Sequence, residues 1–245
     1  MNADVRIFTS AEIMADSLAE EFYRHVIKQL ATRPRLYFAL SGGTTPFLFF
    51  EMLSNFNSQK KNKIDWRNLH FFWGDERCVP PDSEESNYGN AHKVLFSQID
   101  IPEGNVHRIR GEEDPEKEAE RYSELILQHV PSKGRVPIFD WIFLGIGEDG
   151  HTASIFPNQM DLLTSQKICE VSTNPENGQK RITLTGTVIN MSKRVTFMAT
   201  GESKQDVLRA IHNSEPAARK FPAAKIAPQN GLIDWYLDSE AADQI

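Results

Sequence analysis

Phe139-Asp-Trp-Ile-Phe-Leu-Gly-Ile-Gly-Glu-Asp-Gly-His-Thr-Ala-Ser-Ile-Phe-Pro157 is the stretch that decides how this chain folds. Its first part is apolar: Ile138, Phe139, Trp141, Ile142, Phe143 and Leu144 are interrupted only by Asp140. A short apolar run closed by glycine predicts a strand buried on both faces, the place of a central strand in a parallel sheet. Gly145, Gly147 and Gly150 follow, with Glu148, Asp149 and His151 among them. Carboxylates and a histidine on a strand tip belong to a site at the carboxyl edge of an α/β sheet. The glycine spacing also matches the dinucleotide fingerprint, but that motif needs a long helix directly after its third glycine. Pro157 limits any helix after Gly150 to a turn or two. The stretch therefore reads as a catalytic turn whose glycines aim His151 into a cleft.

Working outward, other strands and helices alternate with this one. Val5–Phe8, Leu36–Leu40, Leu69–Trp73, Val136–Gly145, Arg181–Leu184, Arg194–Thr200 and Leu232–Leu237 are the expected strands. A helix capped by Thr9, with Glu12 completing a capping box, carries Met14, Leu18, Phe22, Val26 and Leu30 on one face. Asp114 and Pro115 open a later helix, on which Glu116, Lys117, Glu118, Glu120 and Arg121 read as a solvated face. The stretches 57–63 and 173–180 read as polar loops. Alternation of this kind predicts one α/β domain over residues 1–245: a Rossmann-like three-layer sandwich with a mostly parallel central sheet flanked by helices.

Bulk properties narrow the functions available. The 245 residues carry a net charge of −7, so a nucleic-acid partner, which needs a basic face, is not expected. The N-terminus has no signal-peptide core, and the longest apolar run is far shorter than a membrane span. Cys78 and Cys169 form no CxxC and read as free thiols of a cytoplasmic protein. The histidines show no ligand spacing such as HExxH, so no metal site is expected.

Three further segments are candidates for binding an anion. Ser41-Gly42-Gly43-Thr44-Thr45-Pro46 joins an apolar strand to a helix start, where free amides and the helix dipole favour negative charge. It lacks the Gly-Lys-Ser/Thr ending of a Walker A loop, and a tight, well-capped turn explains the residues equally well. Asp75 and Arg77 would share a face in an extended segment, where Arg77 either grips a phosphate or pairs structurally. Lys204 sits at a helix start, against the dipole, either serving an anion or simply solvated. Taken alone, His151 reads as well as a buried histidine satisfying a carbonyl.

Four motifs stand in order: Leu40-Ser-Gly-Gly-Thr-Thr-Pro46, Trp73-Gly-Asp-Glu-Arg77 with Ser86-Asn-Tyr88, Gly145 to Pro157, and Thr200-Gly-Glu-Ser-Lys204. Together they resemble the glucosamine-6-phosphate isomerase/6-phosphogluconolactonase family, on its lactonase branch, from about Ser10 to Trp235. The resemblance implies hydrolysis of 6-phospho-D-glucono-1,5-lactone to 6-phospho-D-gluconate, with no cofactor and no metal. It implies His151 as the base, assisted by Asp149. It places Ser41, Gly42, Gly43, Thr44, Thr45, Asp75, Arg77, Asn87, Gly147 and Lys204 at the substrate and its phosphate. The deaminase and isomerase branch carries a glutamate before the proline of this last motif, where Thr152-Ala-Ser-Ile-Phe-Pro157 has none. The expected partner is a small sugar phosphate, with neither nucleic acid nor membrane, and the expected state is a monomer or weak homo-oligomer. Amides of the Gly145–Gly150 turn are the expected donors to the oxyanion.

Overall fold

The computed structural model describes residues 4–59 and 64–245. In chain order, β1 (Asp4–Phe8) leads into α1 (Ala11–Leu30), and β2 (Leu36–Leu40) into α2 (Thr44–Gln59). After β3 (Leu69–Trp73) come the short strand β4 (Asp75–Arg77), α3 (Asn87–Val94) and α4 (Pro115–His129). A small hairpin of β5 (Ser132–Lys133) and β6 (Val136–Pro137) precedes β7 (Trp141–Leu144). The chain then forms β8 (Cys169–Thr173), β9 (Lys180–Leu184), α5 (Gly186–Met191), β10 (Arg194–Ala199), α6 (Gln205–His212) and β11 (Leu232–Asp238).

Six strands pair in the order β1-β11-β10-β7-β2-β3, and every pair is parallel. Parallel neighbours cannot be joined by hairpins, so helices cross over the faces and bury the strands on both sides. That is why β2, β3, β7 and β10 are buried along their whole length. Phe22 of α1 packs on Phe38, Phe71, Trp141 and Phe143 on one face, while Tyr122 of α4 packs on Phe72 on the other. The alternation of Phe71 and Phe72 across the sheet follows from the two-residue strand period. From β2 the chain runs outward to β3, then returns to build β7 on the other side of β2. Ligands of open α/β sheets bind at the carboxyl ends of strands where the order reverses in this way. A second sheet, β4-β9-β8, is antiparallel and stands at that same edge.

Several expectations change on contact with the structure. The strand expected over 136–145 breaks at Asp140 into β6 and β7. The Asp140 carboxylate is buried; it accepts the Tyr37 amide at 2.9 Å, pairs with Lys193 at 2.9 Å and also pairs with Arg33. The first helix is capped by Ser10 rather than Thr9, the Ser10 hydroxyl accepting from the Ile13 amide. Glu118 is not on a solvated face: it is 2% exposed and accepts both the Arg110 amide and the Arg121 guanidinium. Helix α2 extends through 57–59 of the stretch expected to be a loop, and 60–63 lie outside the described residues. β8 had no counterpart among the expected strands, because Glu170 and Ser172 break its apolar run. Among the described residues no helix is long and apolar enough to cross a membrane.

Candidate active site

Loops at the carboxyl edge of the sheet meet over β2, β7 and β10. The first leaves β2 through Ser41, Gly42 and Gly43. Gly43 has φ +105°, a conformation that costs glycine nothing and turns the chain into α2. Ser41, Gly42 and Gly43 line a cavity of about 210 Å³, together with Asp75, Arg77, Asn87, Gly147, His151, Arg181 and Lys204. Thr44 and Thr45, expected at the same site, do not line it. Thr44 is exposed, and the Thr45 hydroxyl lies 2.8 Å from that of Thr200, tying the start of α2 to the end of β10.

The second wall is built on β4, where Asp75 and Arg77 reach the cavity from one face of the strand. They do not bridge each other. Asp75 is buried and accepts the Ser154 hydroxyl at 2.6 Å, while Arg77 Nη1 donates to the Glu85 carbonyl at 2.6 Å. Arg77 Nε is buried with no partner among the described residues. Asn87 Nδ2 donates to the Asp75 carbonyl at 2.9 Å, which fixes the amide and leaves Oδ1 buried and unpartnered. A Cβ on Gly42 would fall 1.7 Å from that oxygen, so only glycine fits there.

Sequence reasoning missed Arg181. It lies on β9 directly opposite Arg77 in the β4–β9 pairing and lines the cavity. It is 9% exposed, with Nε donating to the Gln179 side chain at 3.1 Å. Burial and the like charge of Arg77 push its guanidinium below the usual value, against the pull of Asp75. The available signal was an arginine heading the otherwise buried run Ile182–Leu184.

The turn after β7 supplies the reactive group. Asp149 Oδ1 lies 2.6 Å from His151 Nδ1 and also accepts the His151 amide at 3.0 Å. Burial pushes the Asp149 carboxyl up, but the hydrogen bond and charge of His151 outweigh it and hold the carboxyl below its ordinary value. With Nδ1 engaged, Nε2 is the nitrogen free to act, and it meets no protein partner among the described residues. A Cβ on Gly147 would lie 2.1 Å from His151 Nδ1 and 2.5 Å from Asp149 Oδ1, so this glycine makes room for the pair. Gly150 has φ +80° and closes the turn. The Gly147 amide donates to the His151 carbonyl at 2.9 Å, and the Gly150 amide to the Gly147 carbonyl at 3.0 Å. These two amides are therefore spent within the turn and are not oxyanion donors, which narrows the expectation drawn from the sequence.

Lys204 completes the cavity. It ends a 3₁₀ turn, Glu202–Lys204, that precedes α6 rather than standing inside it. Gly201, with φ +85°, donates its amide to both oxygens of Asp238 at 3.1 Å and so sets the turn. Lys204 Nζ stands 3.9 Å from Glu148 Oε1. Gly147, His151 and Lys204 also border a neighbouring hollow of about 280 Å³ with Glu148, Phe156 and Asn174, so the cleft has two continuous halves. One half gathers three cations around a glycine loop; the histidine–aspartate pair stands where the halves meet. Such a place suits an anion tethered to a group that a base must reach.

A family model for glucosamine-6-phosphate isomerases/6-phosphogluconolactonase matches residues 9–235. The chain is 44% identical over 234 residues to a 6-phosphogluconolactonase of Haemophilus influenzae, covering 96% of each sequence. A crystal structure of a devB protein superposes with a TM-score of 0.91 at 41% identity, covering 99% of both chains. The 6-phosphogluconolactonase of Thermotoga maritima superposes with a TM-score of 0.82 at 29% identity, covering 97% of this chain and all (100%) of that one.

Proposed function

Because the chain belongs to the glucosamine-6-phosphate isomerase/6-phosphogluconolactonase family, we propose that this cleft is where it hydrolyses 6-phospho-D-glucono-1,5-lactone to 6-phospho-D-gluconate, with His151 as the base. The reaction belongs to the oxidative pentose phosphate pathway. The observation that carries the site assignment is the His151–Asp149 pair facing a pocket lined by Arg77, Arg181 and Lys204.

Water is a weak nucleophile at neutral pH, and a positioned base contributes about 10²–10⁴-fold. Asp149 keeps the proton on Nδ1, so Nε2 accepts one from the attacking water. The water oxygen bonds to the lactone carbonyl carbon, and the carbonyl oxygen takes the negative charge. As the tetrahedral species collapses, the bond to the ring oxygen breaks, and His151 returns the proton to that oxygen. The acid product then ionises. Arg77, Arg181, Lys204 and the Ser41–Gly43 loop hold the phosphate dianion, and holding it fixes the carbonyl before His151. Asp75 and Asn87 offer acceptors to sugar hydroxyls, and Gly147 leaves space for the base.

Amine release or isomerisation, the chemistry of the other branch, is not favoured. The position before Pro157 is Phe156, 2% exposed, with its ring 4.9 Å from that of His151. An apolar ring stands where a second carboxylate would be required. We read residues 1–245 as one domain, acting in the cytoplasm as a monomer or weak homo-oligomer. Burial pushes the Cys78 and Cys169 thiols up to about 11 and about 12, which keeps both protonated and unreactive.

The test generates the lactone in situ and follows 6-phosphogluconate formation above the spontaneous rate. His151→Ala should abolish the excess rate while phosphate binding persists. Wild-type turnover in that variant removes His151 from the role of base.

A further inference from the structure

Glu76 lies between two cavity residues, does not itself line the cavity, and has no part in the mechanism above. It is 2% exposed, and no cation pairs with it among the described residues. Four donors hold it instead. Its Oε1 accepts the main-chain amides of Arg77 and Asn87, each at 2.8 Å. Its Oε2 accepts the Tyr88 amide at 2.8 Å and the Ser86 hydroxyl at 3.2 Å. A buried carboxylate without such bonds would give up its charge. Burial still pushes Glu76 up to about 6, which leaves it ionised at neutral pH.

The donors come from two elements, β4 and the first turn of α3, and the carboxylate is the seam between them. Both residues whose amides it fixes through Oε1 line the cleft. Each also brings there a buried polar atom without a partner, Arg77 Nε and Asn87 Oδ1. Polar atoms left unsatisfied in a protein interior are costly, and two of them beside one cleft call for an explanation that the fold alone does not give.

We propose that Glu76 is a positioning residue for the substrate's phosphate: its four-donor carboxylate locks β4 to α3 and so sets the angle at which Arg77 enters the cleft. The proposal rests on the lactonase reading only for the identity of the ligand that carries the phosphate. Glutamine has nearly the same shape, but whichever way it is turned its NH₂ would face at least one main-chain amide that can only offer it a proton, and the seam would shift. Electrostatics alone predicts the opposite outcome. Removing a negative charge behind a cationic pocket tightens anion binding, so weaker binding is the signature of lost positioning.

The experiment measures two quantities on Glu76→Gln at neutral pH: the affinity for inorganic phosphate by calorimetry and the kcat and KM for the lactone, with circular dichroism confirming the fold. The expected result is a rise of about tenfold in phosphate Kd and in KM, the scale of one charge-assisted hydrogen bond, with kcat within about twofold of wild type. Unchanged or tighter phosphate binding by the folded variant overturns the proposal, as does a fall in kcat with KM unaltered. If Glu76→Gln does not fold, Glu76→Asp decides, since the shorter side chain keeps the charge but cannot reach all four donors. Its phosphate Kd should rise about twofold, and an unchanged value overturns the proposal. A wild-type protein that binds phosphate but shows no excess lactone hydrolysis refutes the lactonase reading, while the phosphate titrations still judge Glu76.

Discussion

Gly147→Ala isolates the value of one contact. The added methyl carbon would lie 2.1 Å from His151 Nδ1 and 2.5 Å from Asp149 Oδ1, where ordinary contacts begin near 3.4 Å. Both obstructing atoms belong to the base and its partner, so the methyl is a wedge at their contact: Nδ1 must retreat by about 1.3 Å and Oδ1 by about 0.9 Å. A hydrogen bond of 2.6 Å does not survive that displacement, and His151 loses the group that fixes its tautomer. A misplacement of about 1 Å costs roughly 10²-fold in rate, or about 2.7 kcal/mol of barrier. The lactone assay should therefore show kcat down about a hundredfold, KM within about threefold, and a melting temperature close to wild type, because the atoms that must move end two partly exposed side chains. A kcat within about threefold of wild type would refute the reasoning, since the Asp149–His151 contact would then be unnecessary.

Further tests address binding and stability. Lys204→Met and Arg181→Met should each raise KM by about tenfold or more with much smaller changes in kcat; unchanged KM in both would mean that the phosphate lies elsewhere. Stability should fall in mild acid. Burial pushes His70 down to about 4 and His107 to about 3, with the charge of His129 adding to both, and burial holds His25 at about 4. The unfolded chain protonates these groups near 6.5 and the folded chain does not, so stability is intact above about 6.5 and is lost as the pH drops towards 4. Melting temperatures measured down that range should decline, and His107→Phe, whose ring can keep the stack on Phe72, should flatten the decline. A level profile for the wild type, or an equally steep decline in the variant, would refute the assignment.

What was legible in the sequence was mostly local. β2 is an unbroken apolar run, and β3 and β10 are nearly so, broken only by His70 in the one and by Arg194 and Thr196 in the other; a strand buried on both faces leaves that record. Asp114 announced its helix because a cap acts within one turn. Asp149 and His151 lie two residues apart, so their contact was within reach of inference, though only coordinates could show it made. Arg181 was out of reach because its place depends on β9 pairing with β4, over a hundred residues earlier in the chain. Asp140 and Glu118 were misjudged for the same reason. Their partners come in part from other elements, and a carboxylate that is solvated in one setting is a buried tie in another.

The facing arginines of β4 and β9 have a consequence for how the enzyme lives without its substrate. Like charges directly across an antiparallel pair repel, and here the guanidinium on β9 is also almost fully shielded from water. A protein selected for rigidity alone would have replaced one of them. If the phosphate sits here as proposed, a dianion between the two side chains would offset that repulsion and draw β4 and β9 together. Occupancy would then feed into stability by mass action, so that the ligand also acts as a clasp on the smaller sheet.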